Sequence, residues 1–221
     1  MECAAAMDWI NPTATLVASF AGAWAAFKLQ SMEKARDTQQ ANVTAINRVL
    51  TTLMQQANTL KLYQRDHINP FRDHGGRHLA IRATLPYELD TLSFDLESLR
   101  FFASKAERQI IFELSIEERR FVEALKAINA RSELLLEKVE PKLAAAGFLD
   151  GGEYEKKDFI AALGQPLYNA LERLTNDVVF HVDRNNDSIL EMKDRIRSIA
   201  KLRFPRERFI DFDLPDDCPA P

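Results

Sequence analysis

Glycine and cysteine are scarce in this chain. It holds seven glycines in 221 residues, and neither glycine nor proline occurs between Ala23 and Asn69. This scarcity argues against a turn-rich β fold and predicts long helices. The two cysteines, Cys3 and Cys218, lie at opposite ends of the chain, so a zinc site is excluded by their number and no structural disulfide is expected.

The chain also lacks a basic excess and the common catalytic motifs. Its net charge is −4 and its pI is near 5.7, so no nucleic-acid partner is predicted. It contains no phosphate-binding Walker loop, no Gly-x-Gly-x-x-Gly, no Gly-x-Ser-x-Gly and no Glu-x-x-His pair for a di-iron centre. These absences predict a protein that is not an enzyme and that carries no cofactor.

The chain does have an uncharged stretch near its amino terminus, NPTATLVASFAGAWAAFKLQ, residues 11–30. Nineteen uncharged residues lie between Asp8 and Lys28. A helix over residues 12–29 would be about 27 Å long at about 1.5 Å per residue, close to the roughly 30 Å hydrocarbon thickness of a bilayer. The stretch therefore predicts a transmembrane helix over 12–29, preceded by a short outer tail, residues 1–11.

Helical spacing gives this stretch two unlike faces. One face carries bulky apolar residues, Leu16, Val17, Phe20, Trp24 and Phe27. The opposite face carries small residues of the kind that let transmembrane helices approach closely, Ala14, Ala18, Ala21, Gly22 and Ala25. We expect the small-residue face to contact another protein or a second copy of the chain.

Positive residues follow the uncharged stretch at Lys28, Lys34 and Arg36, and no Lys or Arg precedes it. The positive-inside bias then predicts a single-pass protein of the inner membrane whose amino terminus is outside and whose body is in the cytoplasm. The predicted partners are the membrane and either a second copy or another membrane protein. The alternative is a soluble bundle that binds a small ligand or a metal ion, with residues 12–29 as its buried central helix.

The remaining sequence predicts an all-α body. Residues 30–42 form a polar helical stalk, and residues 43–204 form a cytoplasmic antiparallel bundle of about four helices, with a loop at 70–88 and a connector at 147–157. Residues 205–221 form an extended, proline-rich acidic tail. The first bundle helix carries an apolar seam at alternating spacings of three and four residues, which favours assembly against another helix: Val43, Ile46, Leu50, Leu53 and Leu60.

Local signals predict two further features inside the bundle. Residues 85–114 carry apolar residues at mixed spacing, which predicts one or two short helices. Ser115 and Glu118 have the spacing of a capping box and therefore predict the start of the next long helix.

Two polar segments are candidate ligand sites. The stretch DRNNDSILEMKD places oxygen-bearing side chains at calcium-loop positions, although Ser188 replaces the glycine of position 6: Asp183, Asn185, Asp187, Glu191 and Asp194. The competing and favoured interpretation is a continuous helix, because an apolar seam runs from Val182 to Ile199 through the same stretch. The second segment is a polar loop, either a metal, phosphate or headgroup site or a solvated turn: His67, Arg72, His74, Arg77 and His78.

The function predicted from these features is that of a membrane-anchored helical interaction or scaffold module. Such a module would associate with itself or belong to a larger bacterial membrane complex, with a sensing, envelope or phage-defence role. The sequence contains no feature that chooses among these processes.

Overall fold

The computed structural model describes residues 7–90, 92–148 and 154–212, with side chains from residue 15 onward. These residues contain no β-strand, so the all-α prediction is confirmed. Both cysteines and the end of the predicted tail, residues 213–221, lie outside the described residues. The helices are α1 (Met7–Tyr63), α2 (Arg77–Ala80), α3 (Lys105–Leu134), α4 (Glu140–Ala145), α5 (Lys156–Leu163) and α6 (Gln165–Arg203).

A single turn of π-helix follows α1 and another follows α3, each just before a proline. The first covers Gln64–Ile68 and precedes Pro70, and the second covers Leu135–Val139 and precedes Pro141. Proline has no N–H group and its ring crowds the carbonyl four residues earlier, so the hydrogen-bond ladder widens locally. The two prolines therefore account for the change of helix type at both points.

The chain divides into two units, Met1–Thr44 and Ala45–Pro221, which are described separately. In the first unit, α1 begins at Met7, so the predicted outer tail, residues 1–11, is helical from that residue onward. The prediction of a helix start at residue 12 is wrong because residues 7–11 contain no glycine or proline that would stop the helix.

Every described side chain from Thr15 to Ala41 is exposed. This exposure does not agree with one part of the alternative prediction, the burial of residues 12–29 as a central helix. No helix among the described residues is both long and apolar enough to cross a membrane, so the predicted span over residues 12–29 is not supported. Asn11, the threonines, the serine and Lys28 lower the mean hydropathy of residues 11–30.

The second unit is a helical bundle in which α3 packs along α6. The predicted seam of α1 is buried, and α6 contributes another seam that includes Val182, Ile189 and Ile196. Complete burial of an apolar side chain of this size stabilises the fold by about 1.5–3 kcal/mol. Helices α4, α5 and α6 enclose a smaller apolar cluster at one end, which includes Leu163 and Tyr168.

The segment after α2 has no regular secondary structure in residues 81–90 and 92–95, and side chains of the long helices bond its backbone. The N–H of Tyr87 donates to Asn129 Oδ1 (2.8 Å), and Asn129 Nδ2 donates to the carbonyl of Tyr87 (2.9 Å). The prediction of one or two short helices in residues 85–114 is therefore confirmed only in part: the residues around Tyr87 form no helix, and residues 105–114 belong to the long helix α3. A 3₁₀ turn, Leu96–Leu99, is the helical structure that the described part of the segment contains.

Helix α3 begins well before the predicted start at Ser115. Its capping box is formed by Ser104 and Glu107: the N–H of Glu107 donates to Ser104 Oγ (3.2 Å), and the Glu107 carboxylate accepts from the N–H of Ser104 (2.8 Å). Glu118, which was predicted to belong to a cap, accepts instead from the backbone N–H of Phe94 (2.9 Å).

Candidate functional site

An exposed apolar face lies on the amino-terminal part of α1. Each of its five side chains keeps more than half of its surface exposed, up to 72% for the last of them: Leu16, Val17, Phe20, Trp24 and Phe27. No charged residue interrupts this face, and the first cation after it, Lys28, lies 5.5 Å from the centre of the Trp24 ring. Contiguous apolar surface of this kind is typical of a site that contacts a protein or a membrane.

The predicted small-residue face lies on the opposite side of the same helix. Ala18, Ala21, Gly22 and Ala25 are all exposed, and the side chain of Ala14 lies outside the described residues. Apart from the helix itself, no atom lies within 4 Å of the position that a Cβ would take at Gly22. The face is therefore open to the close approach of another helix.

The seam of α1, which was predicted as an interaction surface, faces the inside of the bundle. Val43 is 4% exposed, and Ile46, Leu50, Leu53 and Leu60 are fully buried. The four of them that belong to the second unit, Ile46, Leu50, Leu53 and Leu60, are part of its buried core. A partner cannot contact these four without unfolding the bundle.

The polar loop is joined to α6 through Arg72 and Asp183. The guanidinium of Arg72 makes two bonds to the carboxylate, Nη1 to Oδ2 (2.7 Å) and Nη2 to Oδ1 (2.9 Å), and Gln64 Nε2 donates to the same carboxylate (2.6 Å). Burial alone would raise the pKa of Asp183, but the bonds from Arg72 and Gln64 lower it below its usual value. Two of the predicted ligand residues thus form a structural ion pair.

The histidines of the loop do not converge on one point. The ring of His67 stacks on Tyr63 with 4.9 Å between centroids, whereas His74 Nδ1 accepts from a backbone N–H of its own turn (3.1 Å). His78 is buried with its ring against Tyr168, at 4.7 Å between centroids. No group of three or more His, Cys, Asp or Glu side chains within the described ranges could hold a metal ion.

Arg77 makes a further bond between the polar loop and α6. Its Nη2 donates to Asn176 Oδ1 on α6 (2.6 Å), and its Nη1 donates to the carbonyl of Arg72 (3.2 Å). The loop is therefore held against α6 by both of its arginines. Of the five polar-loop residues, the two arginines bond side chains of α6, and the three histidines have separate neighbours.

A fully buried cation, Arg131 of α3, was missed by sequence reasoning. Its Nε donates to Thr175 Oγ1 (3.0 Å), its Nη1 to the carbonyl of Arg82 (3.3 Å), and its Nη2 to the carbonyls of His78 (3.1 Å) and Ile81. Burial lowers the pKa of the guanidinium below its usual value. These bonds connect α3 to α6 and fix the backbone that follows the polar loop.

Two buried polar atoms belong to the same region. Tyr63 Oη and His78 Nε2 have no hydrogen-bond partner in the part of the chain that the structure describes. Burial raises the pKa of Tyr63 and lowers that of His78, since it disfavours the charged form of each group. The sequence signal for this cluster is the position of Arg131, three residues after Ile128 on the buried face of α3.

The calcium-loop hypothesis is wrong because α6 runs without interruption through residues 183–194. Eleven helical steps place Asp183 and Asp194 about 16 Å apart along the axis, too far to share one ion. Asn185 is buried, and its Nδ2 donates to the carbonyls of His181 (2.7 Å) and Arg120 (3.2 Å). The favoured interpretation, a continuous helix, is the one that the structure shows.

Comparison of the chain with family models, with curated proteins and with solved structures found no match.

Proposed function

We propose that this chain is a helical interaction module that attaches to a membrane through the amino-terminal part of α1 and carries its bundle on the cytoplasmic side. The observation that carries the proposal is the exposed apolar face from Leu16 to Phe27. Burial of five such side chains would contribute on the order of 5–10 kcal/mol. A surface of this size is costly to leave in water, so it favours an apolar environment as its working location.

Two features beside the apolar face support a membrane as that environment. Trp24 and Lys28 form an amphipathic pair at the end of the face, and such pairs are typical of the level where acyl chains meet headgroups. Lys34 and Arg36 follow on the exposed stalk, where they would meet anionic headgroups of the cytoplasmic leaflet.

The same helix supports a second candidate, association between copies of the chain. The exposed small residues Ala18, Ala21, Gly22 and Ala25 would let two helices approach closely. Exchange of Gly22 for Leu places a bulky side chain at the centre of this face. We expect this variant to form smaller oligomers in detergent, as measured by cross-linking, and an unchanged oligomer size would remove the small-residue face from the proposal.

The test of membrane attachment is flotation of the purified chain with phospholipid vesicles. The wild type should float with the vesicles, and the double variant Phe20→Lys, Trp24→Lys should remain at the bottom of the gradient. The matched control is Gln30→Lys, Gln40→Lys, which adds the same charge at exposed polar positions of the same helix. We expect the control to float, and wild-type protein that stays at the bottom would contradict the proposal.

A further inference from the structure

The residues after α6 lie along the bundle as a strap, which we define as residues 204–212. Two of its three aromatic residues, Phe209 and Phe212, are each 8% exposed. The N–H of Ile210 donates to Asn47 Oδ1 on α1 (3.0 Å), and the carbonyl of Phe212 accepts from Lys193 Nζ on α6 (2.8 Å). The strap is therefore held by side chains from two helices.

Asp211, one of the two acidic residues of the strap, lies beside two cations of α6. Arg197 Nη1 lies 2.6 Å from Asp211 Oδ2, and Lys193 Nζ lies 3.6 Å from Asp211 Oδ1. The Lys193 ammonium also lies 5.1 Å from the centre of the Phe212 ring. One carboxylate, one ring and one carbonyl are thus bound by the same pair of side chains.

These contacts are of the kind that bind an extended peptide. Side chains of Asn47 and Lys193 bond backbone groups of the strap, which gives affinity for any extended chain. Lys193 and Arg197 favour a carboxylate in the bound peptide. The burial of Phe209 and Phe212 favours aromatic residues before and after that carboxylate. The surface under the strap, which we call the groove and define by Asn47 of α1 with Lys193 and Arg197 of α6, is therefore matched in charge to a short aromatic–acidic sequence.

We propose that this groove is a docking site for an extended aromatic–acidic peptide of a partner protein, and that the strap occupies it in the unbound chain. The proposal does not depend on membrane attachment, since the groove lies wholly within the second unit. The partner segment would carry an acidic residue between two aromatic ones, as Phe209 to Phe212 do. It displaces the strap and takes over the bonds to Asn47, Lys193 and Arg197.

Displacement is feasible because the strap belongs to no helix or sheet. Within the described residues, the backbone–backbone bonds of the strap lie at its start: the N–H of Phe204 donates to the carbonyl of Ala200 (2.8 Å), and the N–H of Glu207 donates to the carbonyl of Phe204 (3.1 Å). Release of the part from Phe209 to Phe212 therefore breaks few bonds outside the groove. Segments held in this way open at lower cost than the core of a fold. The strap nevertheless competes strongly, since its attachment to α6 gives it an effective concentration on the order of millimolar.

The test uses the full chain and a fluorescent peptide with the sequence of residues 204–212. In the double variant Phe209→Ala, Phe212→Ala, the strap loses both buried rings and should leave the groove. The peptide should then bind at least about tenfold more tightly than it binds the wild type, because the tethered competitor is gone. The control is Phe180→Ala, which removes a half-exposed ring from α6, outside the strap. This variant should bind the peptide at the wild-type level.

Further measurements separate a failed proposal from a failed fold. The released variant, Phe209→Ala, Phe212→Ala, must show the same helical content as the wild type by circular dichroism. If that variant unfolds, Asp211→Lys replaces it, since this change repels Arg197 while it keeps both rings. Lys193→Met in the released background should abolish peptide binding. A folded released variant that binds the peptide no better than a scrambled sequence overturns the proposal and leaves the strap as internal packing.

Discussion

The buried guanidinium of Arg131 gives the sharpest prediction about stability. Exchange of Arg131 for Met keeps an unbranched side chain of similar length but removes four hydrogen bonds, to Thr175 and to the carbonyls of His78, Ile81 and Arg82. A bond to a charged group is worth about 1.5–3 kcal/mol, and removal of the cation also removes its desolvation cost. We therefore expect a net loss of about 3–5 kcal/mol in the free energy of unfolding.

The assay is urea unfolding followed by circular dichroism at 222 nm, which reports the loss of helix. A loss of this size corresponds to a fall in Tm of roughly 10 °C for a domain of this length. Arg119→Met is the matched control on the same helix, because Arg119 is exposed, and it should change stability by less than about 0.5 kcal/mol. If Arg131→Met also costs less than about 1 kcal/mol, the buried network does not hold the bundle together.

Two further predictions concern pH. Burial lowers the pKa of His78 below its usual value of 6.5, so the folded state favours the neutral imidazole. The stability that depends on this neutral form is present above pH 6.5 and should be lost as the pH falls below that value. We expect Tm to fall between about pH 7.5 and about pH 5, and His78→Phe should reduce that fall. Burial alone would raise the pKa of Glu107, but bonds from Ser104 and Arg203 lower it from 4.5 to about 2. The contribution of ionised Glu107 to the free energy of unfolding is therefore present above pH 4.5 and lost as the pH falls towards 2. Glu107→Gln should make the free energy of unfolding less dependent on pH in this range. An unchanged pH dependence would contradict the bonds assigned to the Glu107 carboxylate.

The long helices were predictable because their apolar spacing is regular. The seam from Val43 to Leu60 and the seam of α6 through Asn185 both follow alternating spacings of three and four residues, and both are buried. The regular spacing also favoured a continuous helix over a calcium loop at residues 183–194, and the structure shows the helix. Ser188 stands there in place of the glycine that a calcium loop requires.

The parts that were predicted wrongly depend on contacts between distant residues. The segment around Tyr87 is apolar enough for a helix, but Asn129, 42 positions along the chain, bonds its backbone. The position of Arg131 on the buried face of α3 is a local signal, but the carbonyls that make its burial favourable come from distant residues. The sequence pattern shows neither of these distant partners.

Membrane attachment through α1 can be measured directly, because Trp9 and Trp24 are the two tryptophans of the chain and both lie in its amino-terminal part. Intrinsic tryptophan fluorescence therefore reports on this helix without a signal from the bundle. With vesicles of phospholipid that carries brominated acyl chains, the account predicts a blue shift of the emission and quenching by the bromine atoms. Emission that keeps the wavelength of a water-exposed indole and is not quenched would contradict it.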